Sequence, residues 1–280
     1  MIVCRLKGGL GNQMFQYATA RALSIQWDVP LAIDTTRFQY DRIYRRTYEL
    51  ANFNISAPIA QSDELNLLNK RTRVQRPVLR KLEAIWRNRL RRNYFPYVRK
   101  WPFRKYVCLD GWWQSELYFR DVRPTLLKEF SSKIRLEEAD RKLAAVITDT
   151  ESVAVHFRRN NFPVLCPLDY YRRAIEVIRN QVSSPHFFLF TDDQQLPDVG
   201  LEGRYPTTMV HSVDDKPALA EFELMRLCGH HIIANSTFSW WGAWLCRREG
   251  QVVVAPRLGW NSIPRPALRH VLPAAWIGLD

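Results

Sequence analysis

No apolar run in this sequence reaches the roughly 18 residues that a bilayer span needs, so no membrane-crossing helix is predicted. The chain enters Ile2-Val3-Cys4-Arg5-Leu6 directly from Met1, and no signal peptide is expected. Cysteine is sparse and wrongly spaced for metal. Cys4, Cys108, Cys166, Cys228 and Cys246 are odd in number, lie far apart and contain no CxxC, which excludes a zinc ribbon and a disulfide framework. They read as buried reduced thiols of a cytoplasmic protein. The dinucleotide fingerprint GxGxxG and the phosphate-loop ending GK[ST] are both missing. Internal repeats and low-complexity stretches are absent too.

What is present is enough for a substantial core. Of 280 residues, 46% are apolar and 12% aromatic, which excludes a disordered chain and allows one large or two small domains. Some of the ten tryptophans serve that core, and flat indole faces also suit sugar rings.

The net charge of +13 is concentrated. Between Lys70 and Lys105 there are fourteen lysines and arginines against one acid, Glu83, and the rest of the chain is balanced. No nucleic-acid motif accompanies these cations, so no nucleic-acid partner is expected. Pro77 to Leu90 reads as an amphipathic helix, with Val78, Leu82, Ile85 and Trp86 on one face and Arg80, Lys81 and Arg87 off it. Such a helix either docks on the core with a solvated basic back or lies peripherally on anionic membrane.

Short β-rich runs alternate with helical patterns. Strands are predicted at Ile2–Leu6, Leu31–Asp34, Tyr106–Asp110, Val153–Phe157, His186–Phe190, His231–Ala234 and Gln251–Ala255. Helices are predicted from Asn12 to about Gln26, and near Leu168–Asn180, Ala218–Leu227 and Phe238–Arg247. This alternation predicts α/β architecture with parallel sheets. The stretch from Glu129 to Asp149 reads as a bridge between two sheets. A boundary near residue 150 then separates a first domain, 1–150, carrying the basic insertion at about 70–105, from a second, 151–280.

In open parallel sheets, ligands bind beyond the carboxyl ends of strands. Polar clusters stand at four such ends: Gly8-Gly9, His156-Arg158-Arg159, Thr191-Asp192-Asp193 and Asn235-Ser236-Thr237. That distribution predicts one shared site. The glycines of Lys7-Gly8-Gly9-Leu10-Gly11-Asn12 let backbone approach a ligand closely ahead of a helix N-terminus. His156 and Arg158 share one strand face, and a guanidinium there can hold a diphosphate bidentately. Ser236 or Thr237 can cap the following helix and offer hydroxyls and free N–H groups to a second phosphate.

Five stretches, in this order, resemble the α1,2-fucosyltransferase family. They are Gly8-Gly9-Leu10-Gly11-Asn12-Gln13-Met14-Phe15-Gln16-Tyr17-Ala18, Asp110-Gly111-Trp112-Trp113-Gln114-Ser115-Glu116, His156-x-Arg158-Arg159, Phe190-Thr191-Asp192-Asp193 and the run Ile233 to Trp244. The match extends from residue 2 to about 256 and is weakest across 35–105. The resemblance implies a GT-B-like pair of Rossmann-type domains with parallel sheets facing across a cleft. It further implies GDP-fucose as donor, a β-galactoside-terminated glycan as acceptor, inversion at the anomeric carbon and no required metal or other cofactor. By the same resemblance, Arg158 binds the diphosphate, with Arg159 beside it. His156 and Asp192 or Asp193 bind the guanosine. Asn235, Ser236, Thr237 and Phe238 form the phosphate end of the donor site, while Gly9, Gly11 and Asn12 lie near the fucose and acceptor.

One position departs from the family. Its arginine motif usually reads H-x-R-R-x-D, and here Asn161 replaces the carboxylate. The proton acceptor is not legible; Asp34, at a strand end, and Glu116 are the first-half candidates. Two rivals stand beside this reading: a fucosyltransferase of another linkage, such as protein O-fucosylation, and an inactive glycan- or nucleic-acid-binding relative.

Overall fold

The computed structural model describes residues 1–65, 107–158, 166–191, 198–211, 218–257 and 270–280. The basic segment, including the amphipathic stretch 77–90, lies outside the described residues, as do Arg159, Asn161, Asp192 and Asp193. Two compact units are present, Met1–Ser131 and Ser132–Asp280.

In the first unit, β1 (Ile2–Arg5) pairs in parallel with β2 (Leu31–Asp34) and β3 (Val107–Leu109), giving the order β2-β1-β3 among the described residues. Helix α1 (Leu10–Trp27) covers the sheet. It begins at Leu10, two residues earlier than the sequence predicts, because Gly9 is already extended and its carbonyl accepts from Asn12 and Gln13 N–H. Asp28 ends it in the left-handed region at φ 49°. Helix α2 (Arg123–Glu129) closes the unit. Its last residue, Glu129, is buried and saturated: Tyr17 Oη donates at 2.7 Å, Arg21 Nε at 2.9 Å and Ser56 Oγ at 2.8 Å. Such a carboxylate is tolerated in a core because three donors, one of them the Arg21 cation, bond it.

The second unit is a six-stranded parallel sheet among the described residues. It contains β4 (Glu151–Phe157), β5 (Pro185–Thr191), β6 (Thr207–His211), β7 (His230–Ile232), β8 (Val253–Pro256) and β9 (Ile277–Leu279), in the order β6-β5-β4-β7-β8-β9. Renumbered from its own first strand this is 3-2-1-4-5-6, the doubly wound dinucleotide-fold order. Both faces are covered, which explains the nearly unbroken apolar runs of β4 and β5. Val153, Val155 and Phe157 pack with Phe187 and Leu189 against Tyr170, Ala174 and Ile178 of helix α4 (Leu168–Gln181). Ala154, Phe188 and Phe190 point the other way, onto Leu224 and Met225 of α5 (Ala218–Leu227) and Ile147 of α3 (Glu138–Asp149). The alternation along each strand therefore builds two cores on one sheet.

Helix α3 also accounts for the division at Ser131/Ser132, ahead of the expected boundary near 150. Ile147 is fully buried, and Leu143 and Ala144 pack beside it on the second sheet. The stretch 129–149 is thus split, with Glu129 in the first unit and α3 in the second. Helix α6 (Thr237–Leu245) is apolar all round and sunk in the core. Trp240 and Trp241 are fully buried, and Trp240 Nε1 donates to the Val271 carbonyl at 2.8 Å, so these indoles build the core and offer no face to a sugar. None of the five cysteines is in a disulfide. Among the described residues no helix is long and apolar enough to cross a membrane.

Candidate active site

In the second unit the strand order reverses at β4 and β7, whose carboxyl ends diverge to helices on either side of the sheet. Ligand crevices form at such points. His156 and Arg158 stand at the end of β4; Asn235, Ser236, Thr237 and Phe238 follow β7. The structure brings the two sets together. Arg158 Nη1 donates to Ser236 Oγ at 3.0 Å. Ser236 is the N-cap of α6, extended at φ −130°, ψ 128°, and its hydroxyl also accepts from Phe238 N–H at 3.3 Å. A half-buried guanidinium, a hydroxyl and a helix N-terminus therefore converge on one point, an arrangement suited to a diphosphate.

The surroundings hold these groups in place. Tyr170 Oη donates to the carbonyls of Ile233 at 2.7 Å and Val254 at 3.1 Å, fixing the strand that delivers Asn235. Tyr171 Oη donates to the His156 carbonyl at 3.0 Å. Asn235 is buried and its Oδ1 accepts from Cys166 Sγ at 3.4 Å. The His156 ring lies 6.0 Å from that of Phe238. Burial and the nearby Arg158 cation push the His156 pKa down to about 3, so the imidazole is neutral at ordinary pH. Its Nδ1 is buried and has no hydrogen-bond partner among the described residues. Part of the residue still reaches the surface.

The first unit builds a second cluster, at the carboxyl ends of β1, β2 and β3. Gly8 adopts φ +79°, which a side chain would strain, and a Cβ there would meet Asn12 Nδ2 at 3.0 Å and Trp112 at 3.2 Å. Gly9 packs against the Arg46 guanidinium, 3.6 Å from where its Cβ would stand. Gly11 is buried in the first turn of α1, and Asn12 Oδ1 accepts from Gln114 Nε2 at 2.8 Å.

Two glutamines that the sequence reading quotes without a role shape this turn. Gln16, buried, accepts from Lys7 N–H at 2.9 Å and donates to the Lys7 carbonyl at 3.2 Å. Gln13, also buried, ties Gly8 to the segment 47–49. The missed signal was their type: amides bury well only where backbone donors and acceptors surround them.

Asp34 is placed differently from a proton acceptor. Its side chain is wholly shielded, accepting from Arg5 Nε at 2.7 Å, Thr36 N–H at 2.9 Å and Thr36 Oγ1 at 2.6 Å. Burial opposes its charge, but the Thr36 and Arg5 hydrogen bonds outweigh it and hold the carboxyl below its ordinary range. A shielded carboxylate that prefers to stay charged is an anchor for β2, not a base. Asp110 is likewise bound, by Lys7 Nζ at 2.7 Å and Arg37 Nη2 at 3.3 Å. Glu49 behaves oppositely. Burial raises its pKa despite Arg46 and the Leu10 N–H, and Oε2 is buried with no partner among the described residues. Glu116 opens the single 3₁₀ turn Glu116–Tyr118.

Comparison with known proteins agrees with this geometry. A family model described as glycosyl transferase family 11 matches residues 1–279. The O-antigen biosynthesis glycosyltransferase WbnK of Escherichia coli is 28% identical over 90% of this chain and 92% of its own. An alpha-1,2-colitosyltransferase of Escherichia coli is also 28% identical, over 91% of each chain. The galactoside 2-alpha-L-fucosyltransferase Sec1 of Mus musculus is 27% identical over the whole of this chain and 74% of its own. Among solved structures, the fucosyltransferase NodZ from Bradyrhizobium superposes with a TM-score of 0.52 at 18% identity, covering 87% of this chain and 92% of that one. That likeness shows the fold: a GT-B-type pair of α/β units with parallel sheets.

Proposed function

The chain belongs to glycosyl transferase family 11, and on that premise we propose that it transfers L-fucose from GDP-fucose to the 2-hydroxyl of a terminal β-galactose. The observation that carries the reading is the Arg158–Ser236 contact at the N-terminus of α6, on the switch point of a dinucleotide-type sheet. A nucleoside diphosphate leaving group develops negative charge there as the sugar gains oxocarbenium character. A fixed guanidinium, a hydroxyl and helix N–H groups stabilise that charge without reorganising. The neutral His156 is available to hydrogen-bond the nucleoside rather than repel or attract phosphate.

Regiochemistry is supported by the relatives' names. The colitosyltransferase carries alpha-1,2 in its name, and the mouse protein is a galactoside 2-alpha-L-fucosyltransferase. A NodZ crystal was soaked with GDP-fucose, which supports the same donor class on this fold. Colitose is the second reading, because the colitosyltransferase is as similar to this chain as WbnK is. Transfer is proposed to proceed without a metal, as the family resemblance implies; Asp192 and Asp193, the acidic pair that could hold one, lie outside the described residues. The expected outcome is that activity survives excess EDTA.

The test is an assay of purified protein with GDP-fucose or GDP-colitose against lactose and other β-galactosides, in EDTA, with product linkage assigned by NMR. An α1,2-fucosylated product is expected. Preference for GDP-colitose would move the donor to the second reading. A different linkage, or donor hydrolysis alone with every acceptor, would overturn the proposal.

A further inference from the structure

Two adjacent tryptophans follow β3, and they are treated in opposite ways. Trp113 folds back over Gly111: a Cβ on that glycine would lie 2.7 Å from the Trp113 ring, so only glycine fits. The ring meets Tyr118 edge-on at 5.4 Å, its Nε1 is buried without a partner among the described residues, and its backbone sits at φ +52°. A bulky residue in the left-handed region and an unpaired buried indole N–H are both costly, and such costs gather where a turn has a task.

Their consequence is the display of Trp112. This residue is 43% exposed, although an indole is among the most favourable side chains to bury. Its rim touches Gly8, the left-handed residue of the turn before α1. Lys7 lies 4.9 Å from its ring centre and is simultaneously paired with Asp110 at 2.7 Å. The cation over the ring is thus held in an ion pair, on a carboxylate that Arg37 and Arg5 share. Next to it, Gln114 donates to Asn12 Oδ1 at 2.8 Å, which orients both amides.

An exposed ring beside two amides that orient each other, with the nearest cation already engaged in an ion pair, suits a sugar, which offers an apolar face to stack and hydroxyls to bond. We infer that Trp112 is the platform on which the acceptor sugar stacks its apolar face, with the Asn12–Gln114 pair bonding hydroxyls at its edge. The strained turn 110–115 is what presents it. This inference rests on the glycosyltransferase reading above but not on which sugar is donated.

The test compares Trp112→Ala and Trp112→Phe with the parent chain. Trp112→Ala is expected to raise the acceptor KM at least tenfold, while GDP-fucose hydrolysis in the absence of acceptor changes less than twofold. Trp112→Phe keeps a ring and should stay within about threefold of the parent KM. Saturation-transfer NMR of methyl β-galactoside gives a second readout without turnover: the signal should vanish in Trp112→Ala and persist in Trp112→Phe, with thermal midpoints checked for all three. An unchanged acceptor KM and NMR signal in Trp112→Ala would overturn the assignment. So would equal losses of transfer and of donor hydrolysis. If the parent chain binds the galactoside through Trp112 but transfers no fucose, the platform stands and the donor reading falls.

Discussion

Gln13 Nε2 donates to the carbonyl of Gly8 at 2.9 Å from a position with no solvent exposure. The same amide donates to the Thr47 carbonyl at 2.8 Å and accepts from Glu49 N–H at 3.0 Å. One side chain therefore joins the glycine turn to a segment more than thirty residues away.

Replacing Gln13 with alanine removes three hydrogen bonds and leaves their backbone partners buried without them. At about 1–3 kcal/mol for each stranded group, with relaxation recovering part, a loss of about 3 kcal/mol is expected. Gln13→Glu should cost at least as much, because it turns a lone pair toward two carbonyls. Urea unfolding of the three forms measures this. A Gln13→Ala midpoint close to the parent's would mean the turn stands without its brace.

His231 makes the stability of the second unit depend on pH. It is fully buried, with Nε2 2.9 Å from the Met225 carbonyl and Nδ1 3.0 Å from Gln251 Nε2, so the neutral ring with hydrogen on Nε2 satisfies both partners. Burial, partly offset by the Met225 carbonyl, lowers its pKa to about 3. Unfolding restores an ordinary value near 6.5. The unfolded chain then binds the extra proton, so the contribution is complete above pH 6.5 and declines as pH falls toward 3. The slope is about 0.7 kcal/mol per pH unit at pH 6.5 and approaches about 1.4 near pH 5. His231→Gln should flatten the slope of unfolding free energy by that amount in the same window. Identical slopes in parent and variant would show that the ring accepts a proton in the folded state.

Much of this architecture was legible because its signals are local. Leu31–Asp34 and Ala218–Leu227 have their predicted bounds, and β4 and β5 appear as apolar runs because both sheet faces are covered. The strands Thr207–His211 and Ile277–Leu279 were not predicted; they form the two edges of the sheet and need few apolar residues. Arg158 and Ser236 could each be placed at a strand end, but their contact spans 78 residues and depends on strand order, which periodicity does not encode. Asp34 illustrates the converse error. A carboxylate at a strand end looks like a base until Arg5 and Thr36 are seen closed around it.

At position 161 the family's usual carboxylate is an amide. An amide cannot accept a proton at neutral pH, so Asn161 cannot act as a general base, though it can bond a hydroxyl. If that is the carboxylate's main task, Asn161→Asp changes kcat by less than about tenfold, under ~1.4 kcal/mol. This is the expected outcome. A gain of roughly 10²-fold would instead mark a missing base.

The Arg158–Ser236 pair gives the sharpest test of the donor site. Arg158→Lys retains the charge but loses the planar fork, and should lower kcat/KM for GDP-fucose by about 10²- to 10³-fold, on the order of 3–4 kcal/mol. Ser236→Ala removes both the guanidinium's partner and the cap of α6, so turnover falls and stability drops by about 1 kcal/mol. Because the two residues share one contact, the double variant should lose less than the sum of the single losses. Additivity would mean that each acts alone, and near-parental turnover in Arg158→Lys would remove it from the diphosphate site. The stability readout separates the alternatives that activity alone confuses. A cap lost from α6 shifts the unfolding midpoint of both Ser236 variants equally, whereas loss of the phosphate contact alters only kcat/KM and the affinity for GDP. A variant series in which GDP affinity is untouched while turnover falls would place Arg158 on the transition state alone. A fall in GDP affinity with turnover at saturation unchanged would assign it to uniform binding of the diphosphate.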